Sequence, residues 1–109
     1  MKRSSRFRFR LYVARDAPNS VQALANLTDI CDTYMAGRYE IEVVDVFKAP
    51  HRALADRVFM TPSLMRLGPR PPRTIVGSLS DTLTVLRALG LDEFTSGADR
   101  GQGRDISVD

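Results

Sequence analysis

A strand that leads directly into a helix constrains the fold of this chain more than any other sequence feature. Apolar side chains recur at every second position from Phe7 to Val13, and this period of two predicts a strand with one buried face. Pro18-Asn19-Ser20 ends the alternation, and Asn19 or Ser20 is suited to cap a helix. Apolar residues then recur at intervals of three and four, which predicts an amphipathic helix. Its predicted buried stripe is Val21, Leu24, Leu27, Ile30, Cys31 and Tyr34.

A second strand is predicted at residues 39–46, where apolar residues alternate with Glu40 and Glu42. Because a helix separates the two strands, we expect them to lie side by side and parallel. In that register Arg8 and Arg10 meet the two glutamates on one face of the sheet. The sequence therefore predicts cross-strand ion pairs between β-strands that are far apart in the chain.

The remainder of the chain predicts a short helix, a β-hairpin and a last helix. The predicted segments are a turn at Lys48–His51, helix at 52–59, strands at 63–67 and 73–77, and helix at 80–91 with Ser80 as N-cap and Asp81 beside the positive helix end. From Thr95 onward no apolar period remains, so we expect residues 1–94 to form one domain and residues 95–109 a mobile tail. The predicted order is βαβαββα, an α/β fold.

Composition is that of one globular domain and excludes several classes of protein. The 109 residues are 43% hydrophobic and 27% charged. No apolar run approaches the roughly 20 residues that a membrane span needs. The net charge of +3 is small and no nucleic-acid-binding motif accompanies it, so nucleic acid is not an expected partner. One cysteine cannot form an internal disulfide, which makes the cytoplasm the expected location.

Residues with catalytic or metal-binding chemistry are few. No glycine-rich phosphate loop is present, and one histidine, His51, cannot build a zinc site without a cysteine cluster. Cys31 continues the apolar helix stripe, which favours a buried core residue over a redox sensor, and Asp29 and Asp32 beside it would raise its pKa. We therefore expect no catalytic residue, no cofactor and no metal.

Pro62 stands just before a predicted strand, where a residue without an amide hydrogen is tolerated. In thioredoxin-like folds, a proline at this place is cis and packs beside the loop that follows the first strand. Thioredoxins carry Cys-x-x-Cys in that loop, and this chain carries no cysteine there. The sequence is thus similar to a thioredoxin-type scaffold without its thiol chemistry, and we expect a structural cis-proline at Pro62.

Five short motifs, in order, resemble the KaiB family of circadian-clock proteins over roughly residues 9–91. They are Leu11-Tyr12-Val13-Ala14, Pro18-Asn19-Ser20, Val44-Asp45-Val46, Thr61-Pro62-Ser63-Leu64 and Gly77-Ser78-Leu79-Ser80-Asp81. The KaiB-like sensory domain of clock-output histidine kinases is a related alternative. The resemblance implies a non-enzymatic adaptor that binds a KaiC-like hexameric ATPase ring and regulates its signalling or clock output.

The resemblance also implies two alternative folds. The resting form of the family is a βαββααβ oligomer, commonly a tetramer, and the ring-binding form is a thioredoxin-like βαβαββα monomer. Ser80 and Asp81 favour a helix start, and Ala88 stands where clock-type members often carry glycine, which favours helix by about 1 kcal/mol. We therefore expect the thioredoxin-like form to dominate.

The resemblance places the partner-binding surface on the segment after the second strand. Its charged residues, Lys48, Arg52, Asp56 and Arg57, recur at about helical spacing and would share one helix face. A solvated helix face is the alternative. Two other functions stay open: an oligomeric stress or signalling protein that needs no KaiC partner, and a thioredoxin-like oxidoreductase, which the missing thiolate disfavours.

Overall fold

The computed structural model describes residues 7–90, and its elements follow the predicted βαβαββα order. They are β1 (Phe7–Val13), α1 (Pro18–Tyr34), β2 (Tyr39–Asp45), α2 (Pro50–Ala55), β3 (Ser63–Gly68), β4 (Arg73–Val76) and α3 (Thr82–Ala88). The predicted tail and its boundary at residue 94 lie outside the described residues. None of the helices within 7–90 is long and apolar enough to cross a membrane.

The four strands form one mixed sheet in the order β2-β1-β3-β4. β1 pairs with β2 in parallel, with Arg8 opposite Glu40 and Arg10 opposite Glu42, so the predicted register is confirmed. β3 runs antiparallel to both β1 and β4, which confirms the predicted hairpin. β1 and β3 are therefore the two inner strands of the sheet.

Helices cover both faces of the sheet, and each face has its own apolar cluster. On one face, the alternate β1 side chains Phe7, Phe9 and Leu11 pack against α1 and α3 in the main core. On the other face, a small cluster joins Tyr12 and Val44 to Ala53, which is the one buried residue of α2. The period of two in β1 therefore supplies side chains to two different layers.

The buried stripe of α1 differs from the predicted one. It runs through Ser20, Ala23, Leu27, Ile30 and Cys31, whereas Val21, Leu24 and Tyr34 are exposed. Neither Asn19 nor Ser20 caps the helix, because it already begins at Pro18. The Ser20 hydroxyl instead accepts a hydrogen bond of 3.0 Å from the amide of Ala14, which ties the first turn to the end of β1. The observed stripe therefore begins with the small residues Ser20 and Ala23 and continues with Leu27 and Ile30.

The two other helices begin at different residues from those predicted. Pro50 and His51 belong to the first turn of α2 and not to a separate turn, since proline is well suited to the first helical position. The helix ends at Ala55, and Arg57 adopts a left-handed φ of 59°. In α3 the N-cap is Asp81, whose carboxylate accepts a 3.2 Å hydrogen bond from the amide of Thr84. The prediction that Ser80 is the N-cap of this helix is therefore wrong.

The expected cis peptide bond precedes Pro62. The bonds before Pro69 and Pro71, in the loop between β3 and β4, are cis as well and were not predicted. Residues 82–88 are helical, as in the thioredoxin-like alternative and not as in the βαββααβ order. The structure thus has the form that local helix propensity favours.

Two leucines on α1 test the observed stripe against the predicted one. Leu27 is 0% exposed and Leu24 is 36% exposed. We expect Leu27→Ala to lower the free energy of unfolding by about 2–5 kcal/mol, because it removes buried methyl groups and leaves a cavity. Leu24→Ala should change it by no more than about 0.5 kcal/mol. Urea denaturation measures both, and equal losses would mean that α1 is rotated toward the predicted stripe.

Candidate functional site

The side chain of Tyr12 anchors α2 to the central strand. Its ring is fully buried, and its hydroxyl donates to the carboxylate of Asp56 and lies 3.1 Å from the main-chain carbonyl oxygen of Arg52. Burial raises the pKa of Tyr12, and the hydrogen bond to Asp56 raises it further. The hydroxyl therefore keeps its proton and acts as a donor under ordinary conditions.

Arg10, two residues earlier on the same face of β1, joins α2 to β2. Its Nη1 lies 2.9 Å from Oδ2 of Asp56, and its Nε lies 2.8 Å from Oε1 of Glu42. Arg52 closes the arrangement, with Nη1 2.8 Å from Oε2 of Glu42. We call these residues the polar clamp. Its members are Arg10, Tyr12, Glu42, Arg52 and Asp56.

The electrostatics of the polar clamp hold both carboxylates in the ionised form. Hydrogen bonds from Arg52 and then Arg10 lower the pKa of Glu42 to about 2. The hydrogen bond from Tyr12, followed by the one from Arg10, lowers the pKa of Asp56. Two guanidinium groups thus face two carboxylates, and the clamp is electrically balanced. Because its arginines pair with its carboxylates, the clamp contributes little net electrostatic field toward solvent.

The structure separates the four predicted partner-binding residues into two pairs. Arg52 and Asp56 belong to the polar clamp and are partly buried. Lys48 and Arg57 are exposed, and neither forms an ion pair within residues 7–90. The four do not share one helix face. Only Arg52 lies within α2, which spans Pro50–Ala55, and Lys48, Asp56 and Arg57 lie outside it. Their part in partner binding stays a prediction.

Sequence reasoning missed an apolar feature of the same segment. Leu54, Phe59 and Met60 are 68%, 79% and 64% exposed. The predicted helix at 52–59 includes Leu54 and Phe59 but assigns no exposed apolar face to the segment. The inward positions are instead Ala53 and Val58, which pack against the sheet. The available sequence signal was Thr61-Pro62, which directly follows Phe59 and Met60. Because a helix usually ends before a proline, these two residues are not expected to continue a buried helix face.

The loop from β1 to α1, residues 14–17, holds no cysteine, and the one thiol of the chain lies elsewhere. Cys31 is fully buried as predicted, and burial followed by the charge of Asp32 raises its pKa to about 12. A thiol with such a pKa supplies almost no thiolate at neutral pH. His51 is exposed on α2. Among the residues that the structure describes, no group of three His, Cys, Asp or Glu side chains could hold a metal ion.

Sequence comparison identifies relatives that share most of this chain. A family model for the KaiB domain matches residues 10–91. A protein of Prochlorococcus marinus named circadian clock oscillator protein KaiB is 46% identical over 83 residues, which cover 76% of this chain and 68% of the relative. The protein of the same name from Nostoc punctiforme is 41% identical over 92 residues, 84% of this chain and 86% of the relative.

Structural comparison finds the same fold in the N-terminal domain of SasA and in thioredoxins. The N-terminal domain of SasA from Synechococcus elongatus superposes with a TM-score of 0.67 at 21% identity, covering 84% of this chain and 90% of that domain. Chloroplastic thioredoxin z superposes with a TM-score of 0.66 at 16% identity, covering 83% and 80%. At such identities the likeness concerns the fold, which is therefore thioredoxin-like and carries no inference of thiol chemistry.

The depressed pKa of Glu42 predicts a loss of stability in acid. The folded value of about 2 lies below the ordinary 4.5, so the stabilisation is complete above the unfolded pKa and is lost as pH falls from about 4.5 to about 2. Between about pH 6 and about pH 2.5 the parent chain should therefore lose more free energy of unfolding than Glu42→Gln. The difference should not exceed about 1 kcal/mol, since the carboxylate is 46% exposed.

Chemical denaturation across this pH range measures the difference. Asp16→Asn serves as a control, because Asp16 is an exposed carboxylate outside the polar clamp. Its acid dependence should match that of the parent chain. Identical acid dependence in the parent chain and Glu42→Gln would show that the clamp ion pairs do not stabilise the fold.

Proposed function

The chain belongs to the KaiB family, and on that premise we propose that it is a non-enzymatic adaptor that binds a KaiC-like hexameric ATPase ring and regulates its signalling or clock output. The observation that carries the proposal is the KaiB-domain match to residues 10–91. This range contains all of α1, β2, α2, β3, β4 and α3 and most of β1. The match thus covers nearly the whole described fold and not one motif.

A binding role is supported by the chemistry of the strand-to-helix loop. A thioredoxin-like reductase needs an exposed thiolate to attack a disulfide. Residues 14–17 offer none, and Cys31 is buried with a raised pKa. The scaffold therefore has the fold of a redox protein with a different set of surface residues. The cytoplasmic location, and self-association into a dimer or tetramer, stay predictions of the sequence.

We place the ring-binding surface on α2 and its flanks. Lys48 and Arg57 present their charges to solvent on either side of the helix, so they can contact a partner directly. Arg52 and Asp56 contribute in another way, because their side chains hold α2 on the sheet through the polar clamp. The surface proposed from sequence thus divides into residues that contact the ring and residues that position them.

Charge reversal tests this division. We expect Lys48→Glu with Arg57→Glu to weaken binding to a KaiC-like hexamer by about tenfold or more, because like charges then replace complementary ones. The free energy of unfolding should change little, since neither side chain forms an ion pair within the described fold. Size-exclusion chromatography with the ATP-loaded hexamer, followed by titration, measures the affinity.

Arg70→Glu with Arg87→Glu is the matched control, since both arginines are exposed and lie outside the α2 segment. It makes the same change in net charge and should leave the affinity within about twofold of the parent chain. Equal weakening by both pairs would mean that only net charge matters and that the surface lies elsewhere. A parent chain that does not bind the hexamer at all would overturn the proposed function.

A further inference from the structure

One buried leucine has a left-handed backbone. Leu79 lies in the loop between β4 and α3, residues 77–81, with a φ of 64° and only 5% of its surface exposed. The other non-glycine residues with positive φ within 7–90, Arg15 and Arg57, are both exposed. In this conformation the Cβ atom crowds the following carbonyl oxygen, so a leucine adopts it only where surrounding contacts compensate for the strain.

The side chain of Leu79 provides part of this compensation. It belongs to the main core, which also contains Val85 and Leu86 of α3. The loop therefore brings a large apolar side chain inward in the short connection between an edge strand and a helix. Burial of apolar surface stabilises this arrangement, and the left-handed backbone opposes it.

A polar side chain of α1 holds the loop from the other side. Nδ2 of Asn26 donates a hydrogen bond of 2.8 Å to the main-chain carbonyl of Ser78, the residue before Leu79. Gln22, one turn earlier on α1, donates from Nε2 to Oδ1 of Asn26 at 3.3 Å. Because this bond engages the amide oxygen, the amide nitrogen of Asn26 faces Ser78. We call the bond from Asn26 to Ser78 the loop latch.

The elements next to the loop hold it only weakly. β4 is an edge strand of 4 residues, and α3 has 7 residues, a length that is marginal for a helix in water. A cleft of about 200 Å³ lies beside the loop and the first turns of α3, with Ile75 and Thr84 among its walls. Packing is thus incomplete at this corner of the fold. A hydrogen bond from α1, which has 17 residues, therefore contributes a large share of the order there.

Two glycines bound the part of the chain that contains the loop and α3. Gly77 and Gly90 have positive φ angles of 124° and 72°, which glycine adopts without side-chain strain. The amide of Gly77 donates to the carbonyl of Pro62 at 2.9 Å, so the start of the loop stays attached to the sheet. Residues of this kind absorb the backbone rotations of a moving element. We call the chain between them, residues 78–89, the α3 segment.

We propose that the α3 segment opens as one unit while the four strands keep their pairing, and that Asn26 is the positioning residue that holds it closed. The left-handed backbone of Leu79 favours the open state, and the loop latch favours the closed one. Opening exposes the apolar side chains of Leu79, Val85 and Leu86 together with the core beneath them. The loop latch thus sets how often this face of the sheet is accessible, whether or not the chain binds an ATPase ring.

Amide hydrogen exchange in the parent chain and in Asn26→Ala tests the loop latch. The amides of Val85 and Leu89 donate to carbonyls one turn earlier and report on α3. In the parent chain their exchange should depend less on urea than exchange in β1, because the α3 segment opens without unfolding the sheet. Asn26→Ala should make both amides exchange about tenfold faster at low urea, as expected for the loss of one partly buried hydrogen bond.

Asn19→Ala is the matched control, since Asn19 is an exposed residue of the same helix and the chemical change is the same. Its α3 amides should exchange within about twofold of the parent rates. Unchanged exchange in Asn26→Ala would overturn the loop latch. Equal urea dependence in α3 and β1 would also overturn the proposal, because α3 would then open only when the whole fold unfolds.

Two variants of Leu79 test the strain separately. Leu79→Ala and Leu79→Gly both remove the buried side chain beyond Cβ, but only glycine adopts a φ of 64° freely. We expect the α3 amides to exchange about threefold or more slowly in Leu79→Gly than in Leu79→Ala, the reverse of the usual order of the two residues. Urea midpoints give the same comparison if exchange in either variant is too fast to follow.

Ser80→Ala and Ser80→Gly are the reference pair, because Ser80 is an exposed residue of the same loop without a positive φ. There the glycine variant should exchange as fast as the alanine variant or faster. Faster exchange in Leu79→Gly than in Leu79→Ala would show that the left-handed backbone does not favour opening, and would overturn the proposal. No readout involves a partner, so failure of the adaptor function would leave these results unchanged.

Discussion

The carboxylate of Asp56, held between the Tyr12 hydroxyl and the Arg10 guanidinium, is the interaction on which the α2 layer depends. α2 has 6 residues and buries only Ala53. Isolated helices shorter than about 12 residues are marginal in water even with favourable sequences. Apolar burial alone is therefore too small to hold a helix of this length on the sheet. The hydrogen bonds from Tyr12 and Arg10 to Asp56, and the contact of Tyr12 with the Arg52 carbonyl, add the stabilisation that the helix needs. Without them, one face of the sheet would lose its cover.

The clamp exists because β1 is an inner strand and because its side chains alternate between the two faces of the sheet. Phe9 and Leu11 face the main core with α1 and α3, while Arg10 and Tyr12 face α2. One strand therefore organises an apolar layer on one side and a polar contact on the other. Glu42 enters the same contact through the parallel pairing of β1 with β2, opposite Arg10. Removal of Arg10 would leave Asp56 without a cation in a partly buried site, with only the Tyr12 hydroxyl as a partner.

Periodic patterns in the sequence predicted most of the fold. The alternation in β1 and β2 gave their parallel pairing and the Arg10–Glu42 ion pair, because register follows once both strands have a buried face. The stripe of α1 was rotated from the predicted one, since a helix pattern cannot show that Ser20 bonds to the end of β1. The bounds of α2 were wrong because its start depends on Pro50 and its end on the backbone of Arg57.

The candidate site was harder to predict than the fold. Helical spacing drew attention to Arg52 and Asp56, but their bonds join residues that lie far apart in the chain, and no local pattern reports them. The exposure of Phe59 depends on where the chain turns after α2, which tertiary packing decides. Amphipathic reasoning places large apolar residues inside by default, so it does not identify the exposed side chains of Leu54, Phe59 and Met60.

Amide hydrogen exchange in Asp56→Ala tests the central claim, that the polar clamp holds α2 on the sheet. The account predicts faster exchange at residues 50–58, including the amide of Val58, with exchange in β1 and α1 unchanged, because only the α2 layer loses its anchor. Asp16→Asn, outside the clamp, should exchange like the parent chain. Unchanged exchange at 50–58, or equally faster exchange throughout the fold, would contradict a clamp that acts on α2.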